Sequence, residues 1–322
     1  MINRRDFLTT TLLGSAGLAL SSGWPSFAFA PTLEAFITPE LKPGKGQTLI
    51  TFLHTNDQHS QIDPLSNSDR NAGKGGVARR ATLVKMIRKE SPNTLLLDAG
   101  DAFQGTPYFN LYKGEVEMKA MSAIGYDAMT LGNHDFDNGV EALAQAMKFA
   151  NFDFVSTNYD VRGTALESRV KPYLVRELGG IKIGILGFGI KLEGLNPPES
   201  FKGVKVLDPL RMATGGVKLL REQLKCQMVV AASHLGYYPN PKAGDFGELQ
   251  LAEQLDGIDF IASGHTHTFM EKPVIAKQPG GGETVIFQVG KSGIYLGRVD
   301  FLVSQNKVVA HAGKLLGVEN AA

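Results

Sequence analysis

From Thr48 onward the apolar positions of the chain follow two alternating rhythms. Short unbroken apolar runs alternate with stretches in which apolar residues recur every third or fourth position. An unbroken run between turn residues reads as a strand buried on both faces, and the wider spacing as a helix with one buried face. Strands are predicted over Leu49–His54, Thr94–Leu97, Ala128–Leu131, Phe152–Ser156, Ile181–Phe188, Met228–Ala232 and Ile258–Ala262. Helices are predicted over Gly76–Lys89, where Val77, Ala81, Val84 and Ile87 share a face, and over Glu115–Ile124, with Gly125 as its C-cap. A third is predicted over Asn138–Phe149, capped by Asp137 or Asn138, with two more at about 209–225 and 246–255. From Thr284 the pattern turns β-rich, with Val285–Val289, Gly297–Val303 and Lys307–His311 following a Gly280-Gly281-Gly282 hairpin or loop. Alternating strands and helices predict an α/β fold. No repeat or shift of composition divides residues 47–322, so one domain is expected there.

Where the strands end carries the chemistry. Five short motifs rich in metal ligands each follow an apolar run: Asp57-Gln58-His59, Gly100-Asp101, Gly132-Asn133-His134-Asp135, Ser233-His234 and Gly264-His265-Thr266-His267. They hold five of the seven histidines. Open α/β sheets place their sites at the carboxyl ends of strands, so these motifs are expected to meet. The ligand types are Asp, His and Asn without thiolate. That disfavours a structural zinc site and favours a divalent ion such as Mn, Fe, Zn or Co. Seven candidate ligands (Asp57, His59, Asp101, Asn133, His234, His265 and His267) exceed the needs of one ion, which predicts two, with a carboxylate between them. Two Asp against two dications leave about two positive charges uncompensated, enough to attract a phosphoryl oxygen and acidify a water.

His134 and Asp137 form a second group. His134 directly follows a candidate ligand, and Asp137 approaches it across a turn. A carboxylate bonded to an imidazole raises its pKa and fixes its tautomer. Such a histidine can protonate a leaving oxygen or steady developing charge. His54 reads as a hydrogen-bonded core residue or a brace for the first motif, and His311 as exposed. Gly184, Gly187 and Gly189 do not make a dinucleotide fingerprint. Their order is wrong, and Leu195-Asn196-Pro197-Pro198 cannot open the required helix. They read as places where layers pack closely.

Composition narrows the class. A formal net charge of +1 gives no global basic field, so a nucleic-acid polymer is not expected as a partner. The single cysteine, Cys226, allows no internal disulfide and reads as a partly buried inert thiol. The N-terminus differs from the rest. Asn3-Arg4-Arg5-Asp6-Phe7-Leu8, followed by a short, weakly apolar run, resembles a twin-arginine export signal. The run is too short to span a bilayer, so no stable membrane span is expected. Residues 1–30 are therefore read as the signal and 31–46 as a Pro/Gly-rich linker. Cleavage is expected after Ala28-Phe29-Ala30 or, because Pro31 follows that site, after Ser26-Phe27-Ala28. A periplasmic or other extracytoplasmic location follows.

The motif series resembles the calcineurin-like metallophosphoesterase family over about residues 48–305. Leu53-His54-Thr55-Asn56-Asp57-Gln58-His59-Ser60 and Leu131 to Gly139 are similar to its 5'-nucleotidase and UDP-sugar hydrolase branch. The resemblance implies two mixed β-sheets packed face to face with helices outside. It implies one ion on Asp57, His59, Asp101 and His267, and a second on Asp101, Asn133, His234 and His265. His134 and Asp137 would be the catalytic dyad, and the substrate a small phosphate ester, nucleotides first. His267 stands where several nucleotidases of that branch carry Gln. Relatives continue into a second domain that grips the nucleoside, which nothing here matches. A separate chain supplying that domain is one expectation. A wall built by Tyr237 and Tyr238, after His234, is another, with a plain surface loop as its alternative. Without a wall, weak preference among leaving groups is expected. A hydrolase of sulfur-linked groups, or a subunit docking to a substrate-binding chain, are the competing functions.

Overall fold

The computed structural model describes residues 38–238 and 246–321. The arginine pair and its apolar run, the cleavage sites and residues 31–37 of the linker lie outside the described residues. Two mixed sheets dominate. The first has seven strands in the order β15 (Lys307–Gly317), β14 (Tyr295–Ser304), β1 (Thr48–Thr55), β2 (Thr94–Asp98), β3 (Ala128–Met129), β4 (Asp153–Val155) and β6 (Val170–Lys171). The second has six, in the order β12 (Val274–Lys277), β13 (Glu283–Phe287), β11 (Phe260–Ser263), β10 (Met228–Ser233), β8 (Ile181–Phe188) and β7 (Leu174–Leu178). A short ribbon pairs β5 (Tyr159–Asp160) with β9 (Lys205–Val206).

Both sheets have parallel centres and antiparallel edges. β1, β2, β3, β4 and β6 run parallel, as do β8, β10, β11 and β13. β14 and β15 close one sheet antiparallel, and β7 and β12 flank the other. The parallel centres put the carboxyl ends of β1, β2 and β3 at one edge of their sheet, and those of β10 and β11 at one edge of theirs. These are the five strands that the motifs follow.

The strand period of two sends alternate side chains to opposite faces. Ile50, Phe52, Leu95 and Leu97 of the first sheet meet Ile183, Ile185, Val230, Phe260 and Phe287 of the second in one buried cluster. The sheets are thus packed face to face. Leu53, Leu96 and Met129 point outward under α1 (Val77–Glu90) and α3 (Glu115–Ile124). Between these two helices lies the short α2 (Pro107–Tyr112), with Thr106 as N-cap. Leu186, Val229 and Ile261 point outward under α5 (Pro209–Lys218) and α6 (Glu248–Gln254). The result is the expected four-layer order of helix, sheet, sheet, helix. The described residues all belong to one compact unit, Leu33–Ala322. Among them no helix is long and apolar enough to cross a membrane.

Several elements differ from the sequence reading. The helix expected over Asn138–Phe149 shortens to α4 (Val140–Ala146), with a separate 3-10 turn before it at His134–Phe136 and another after it at Met147–Phe149. Gly139 is the N-cap of α4 and no side chain caps it; Asp137 is engaged with His134 instead. The 209–225 helix changes to a π turn at Leu219–Gln223. The strand expected over Ala128–Leu131 keeps only two residues, because the chain leaves the sheet to build the third motif. The last strand runs on to Gly317, paired with β14 apart from a register shift opposite Leu302 and Val303.

His54 is fully buried, yet neither ring nitrogen has a hydrogen-bond partner among the described residues. It packs on Phe260 and Phe287, and burial lowers its pKa to about 3, so it is a neutral core ring. His311 is half-buried, not exposed: it lies against Phe301 with Nε2 3.2 Å from Glu283. Cys226 is buried. Gly187 bears out the packing role of its cluster. A Cβ there would lie 2.1 Å from the Val155 carbonyl oxygen of the facing sheet.

Candidate metal centre

The five motifs leave the carboxyl ends of five strands and converge at one place. Two ligand groups result. Asp57, His59 and His267 form one, and Asp101, His234 and His265 the other; within each, the ligand atoms lie within 4.8 Å of one another. In the first, His267 Nε2 is 3.2 Å from Asp57 Oδ1 and 2.9 Å from His59 Nε2. In the second, His234 Nε2 is 3.0 Å from Asp101 Oδ2, and Asn133 Oδ1 is 3.1 Å from His265 Nδ1. The groups adjoin, since His234 Nε2 is 4.0 Å from Asp57 Oδ1.

Whether these residues fit metal ions is tested by their lone pairs. Asp57 Oδ2 is satisfied by Asn56 Nδ2, at 2.6 Å, and the His265 N–H, at 3.0 Å. Asp57 Oδ1 is buried, has no hydrogen-bond partner among the described residues, and faces three imidazoles. His234 Nδ1 donates to the Ala99 carbonyl at 2.7 Å, which turns Nε2 inward, buried and 3.0 Å from Asp101 Oδ2. His59 Nδ1 sits 3.3 Å from the Phe103 carbonyl, which turns its Nε2 inward, 2.9 Å from His267 Nε2. A buried bare carboxylate oxygen among inward-facing imidazole nitrogens is costly without a cation. The donor set fits divalent ions that accept mixed N and O ligands.

The charges show the same tension. His59 is held below the usual imidazole range by burial, against the Asp101 and Asp57 carboxylates. Burial likewise lowers His265 to about 4. Burial would also lower His234, but Asp101 outweighs it and raises the ring to about 10. Burial opposes the charge on Asp101, yet the surrounding imidazoles, His234 first, hold its carboxyl well below the ordinary carboxylate range.

The backbone is shaped for this site. Asp57, His59, Asp101, His265 and His267 all have positive φ, between 47° and 71°. Non-glycine residues rarely adopt that region, and clusters of them mark places where geometry is imposed for function. Gly132 approaches so closely that a Cβ would lie 2.2 Å from Asp101 Oδ1 and 2.6 Å from Asp101 N. Gly132→Ala is therefore expected to push the Asp101 carboxylate out of place and weaken metal affinity about tenfold or more. Metal analysis after dialysis, beside an unchanged far-ultraviolet circular dichroism spectrum, checks this. Full metal retention would show that the loop relaxes freely.

His134 and Asp137 also meet, with Nδ1 donating to Oδ2 at 2.9 Å. That bond raises the His134 pKa against the effect of partial burial. The His134 N–H donates to Asp101 Oδ1 at 2.8 Å, tying this pair to the candidate ligands. The His59 ring lies against both His134 and His267, at centroid distances of 5.5 and 5.0 Å. Tyr237 is partly buried against the apolar packing of the second sheet, and Tyr238 is 64% exposed. Residues 239–245 of their loop lie outside the described residues.

Four residues without an assigned role in the sequence hold these groups in place. Asp135, buried, accepts from the N–H groups of Asp101, Ala102, Phe103 and Gly132 and so binds the second motif to the third. Its place in the third motif was the available signal. Asn196 donates to the Asn133 carbonyl at 3.0 Å and to Asp137 Oδ1 at 3.3 Å. Asn56 and Gln288 brace the first and last motifs, Gln288 through the Gly264 carbonyl at 2.7 Å. Asn196 and Gln288 gave no signal, since their roles exist only once distant loops meet.

Comparison with known proteins agrees with this geometry. Residues 50–269 match the family model described as calcineurin-like phosphoesterase. The chain is 33% identical to 5'-nucleotidase of Bos taurus over 310 residues, 88% of this chain and 51% of that protein. It superposes on the 5'-nucleotidase precursor from Thermus thermophilus with TM-score 0.72 and 33% identity, covering 84% of this chain and 54% of the other. For the calcineurin-like phosphoesterase YfkN from Bacillus subtilis the values are 0.66 and 26%, covering 84% and 91%. The chain thus spans about half the length of the curated 5'-nucleotidases it matches.

Proposed function

The chain belongs to the calcineurin-like phosphoesterase family, and from that premise we propose that it hydrolyses small phosphate monoesters with two divalent ions, nucleotides being the first substrate class. The single observation that carries this reading is the bare, buried Asp57 Oδ1 facing His59, His234 and His267 beside the Asp101 group. Asp57, His59, Asp101 and His267 would hold one ion, and Asp101, Asn133, His234 and His265 the other, with Asp101 shared. The ions, whether Mn, Zn, Fe or Co, would supply positive charge for the phosphoryl oxygens and a water acidified toward neutral pH.

The protein's own groups do the rest. In hydrolysis a bond forms between a water oxygen and phosphorus, and the bond from phosphorus to the ester oxygen breaks. The products are inorganic phosphate and an alcohol. Asp137 holds His134 through Nδ1, which leaves Nε2 to give its proton to the departing oxygen or to steady its charge. Asn196 fixes Asp137, and through the Asn133 carbonyl it fixes the loop that carries both. Asp135 keeps the Asp101 loop from drifting. These residues set positions before the substrate arrives, the property that makes electrostatic stabilisation effective.

A panel of nucleoside monophosphates, cyclic nucleotides, nucleotide sugars and aryl phosphates tests the reading, each assayed with Mn, Zn, Co and Mg. Monoesters should turn over and a chelator should stop them. No turnover of any monoester with any of these ions sinks the proposal.

We also infer export through the twin-arginine route, with residues 1–30 as the signal, 31–46 as the linker and 47–322 as the catalytic domain. The support is the Arg4-Arg5-Asp6-Phe7-Leu8 string. The route carries folded proteins, so metal loading can precede export. Arg4→Lys together with Arg5→Lys is expected to retain the protein in the cytoplasm on fractionation. Normal export of that variant contradicts the route.

A further inference from the structure

Beside the first ligand group lies a cleft of about 540 Å³ that the catalytic reading leaves unused. His267 is one of its walls. Leu65, Phe269 and Tyr295 supply an apolar surface, and Arg70 and Lys291 charge. Phe269 is 50% exposed although aromatic, and its ring lies 5.1 Å from that of Tyr295, inclined at 44°. Lys74 sits 6.0 Å from the Tyr295 ring. Neither Arg70 nor Lys291 forms an ion pair among the described residues.

The cleft is tied rigidly to the metal centre. The Ser292 N–H donates to the Asp57 carbonyl at 2.8 Å, and the Gly290 N–H to the Thr268 carbonyl at 3.0 Å. Phe269 is held by a β-bridge to Val289. Its flank also suits a leaving group. His59 touches both His134, the group that serves the departing oxygen, and His267, the wall of the cleft. Neither Tyr237 nor Tyr238 lines it.

We propose that this cleft receives the leaving group of the phosphate ester, an aromatic ring stacked on Phe269 and Tyr295. Arg70 and Lys291 give N–H donors to the ring's carbonyl and nitrogen acceptors and to sugar hydroxyls. That favours a nucleoside over a bare aryl group, and either over an alkyl chain. The proposal rests on the phosphoesterase reading above and replaces the expectation of weak leaving-group preference.

The test compares kcat/KM for adenosine 5'-monophosphate, phenyl phosphate and glycerol phosphate in the wild type, Phe269→Ala, Tyr295→Ala and the double variant. Each ring removed should lower the ratio of adenosine monophosphate to glycerol phosphate about tenfold, within the range for loss of one stacking partner. Phe269→Leu, which stays apolar but has no ring face, should lower it too. A ratio unchanged in the double variant, or equal losses on all three esters, overturns the proposal. If the wild type hydrolyses no ester, the phosphoesterase reading fails by itself, and saturation-transfer NMR with adenosine monophosphate reads the cleft separately. Transfer to the base protons that disappears in Phe269→Ala supports the cleft. Transfer that is absent in the wild type, or unchanged in the variant, overturns it.

Discussion

Asp101→Asn is expected to lower phosphatase turnover by about three orders of magnitude or more and to reduce bound metal below two ions per chain. Asparagine keeps the volume and still accepts from the His134 N–H, so the fold of the loop should survive. What it loses is the charge that would offset two dications and the second oxygen, Oδ2, which faces His234 at 3.0 Å. A neutral amide cannot serve two ions as a carboxylate does. Asn133→Ala attacks the same geometry from the other side, by removing the oxygen beside His265. Its turnover should also collapse, with the second ion lost first. Purified variants analysed for metal content and kinetics decide the matter. Full activity with one ion or none would sink the two-metal reading.

His134→Ala or His134→Gln is expected to keep both ions and still slow the chemical step by ~10²- to 10⁴-fold, the usual range for a positioned proton donor. The ring is not among the seven candidate ligands. Its Nδ1 is committed to Asp137, and its backbone N–H, which the substitutions leave intact, makes the bond to Asp101. The loss should depend on the ester. A good leaving group, such as an activated aryl oxide, needs little protonation and should suffer less than an alkyl alcohol. Equal losses on good and poor leaving groups would make His134 a stabiliser of charge rather than a donor of protons.

Much of this site was legible before any fold was built, for a physical reason. The ligands follow buried strands, and buried parallel strands are the unbroken apolar runs that a sequence shows most clearly. Ile181–Phe188 and Glu115–Ile124 matched residue for residue. Errors gathered where tertiary contacts override local pattern. The helix after the third motif starts late because Asp137 turns toward His134 rather than capping it. His54 is buried without a hydrogen bond because Phe260, Phe287 and the bare Gly297 leave a ring-shaped space. Short elements such as β5, β6, β9 and α2 carry too few residues to show a period. Asn196 and Gln288 act only across long chain separations, which no local pattern encodes. The aromatic cleft is a similar case, since Phe269 and Tyr295 are apart in the chain and meet where Phe269 bridges to Val289.

The central claim is that the converging motifs hold two ions that act together. Titrating metal-free protein with Mn while recording monoester hydrolysis and bound metal tests it most directly. Activity should be negligible without metal, rise steeply with the second equivalent, and level off at two bound ions per chain. Full activity at one bound ion, or hydrolysis that persists in the metal-free protein, would contradict it.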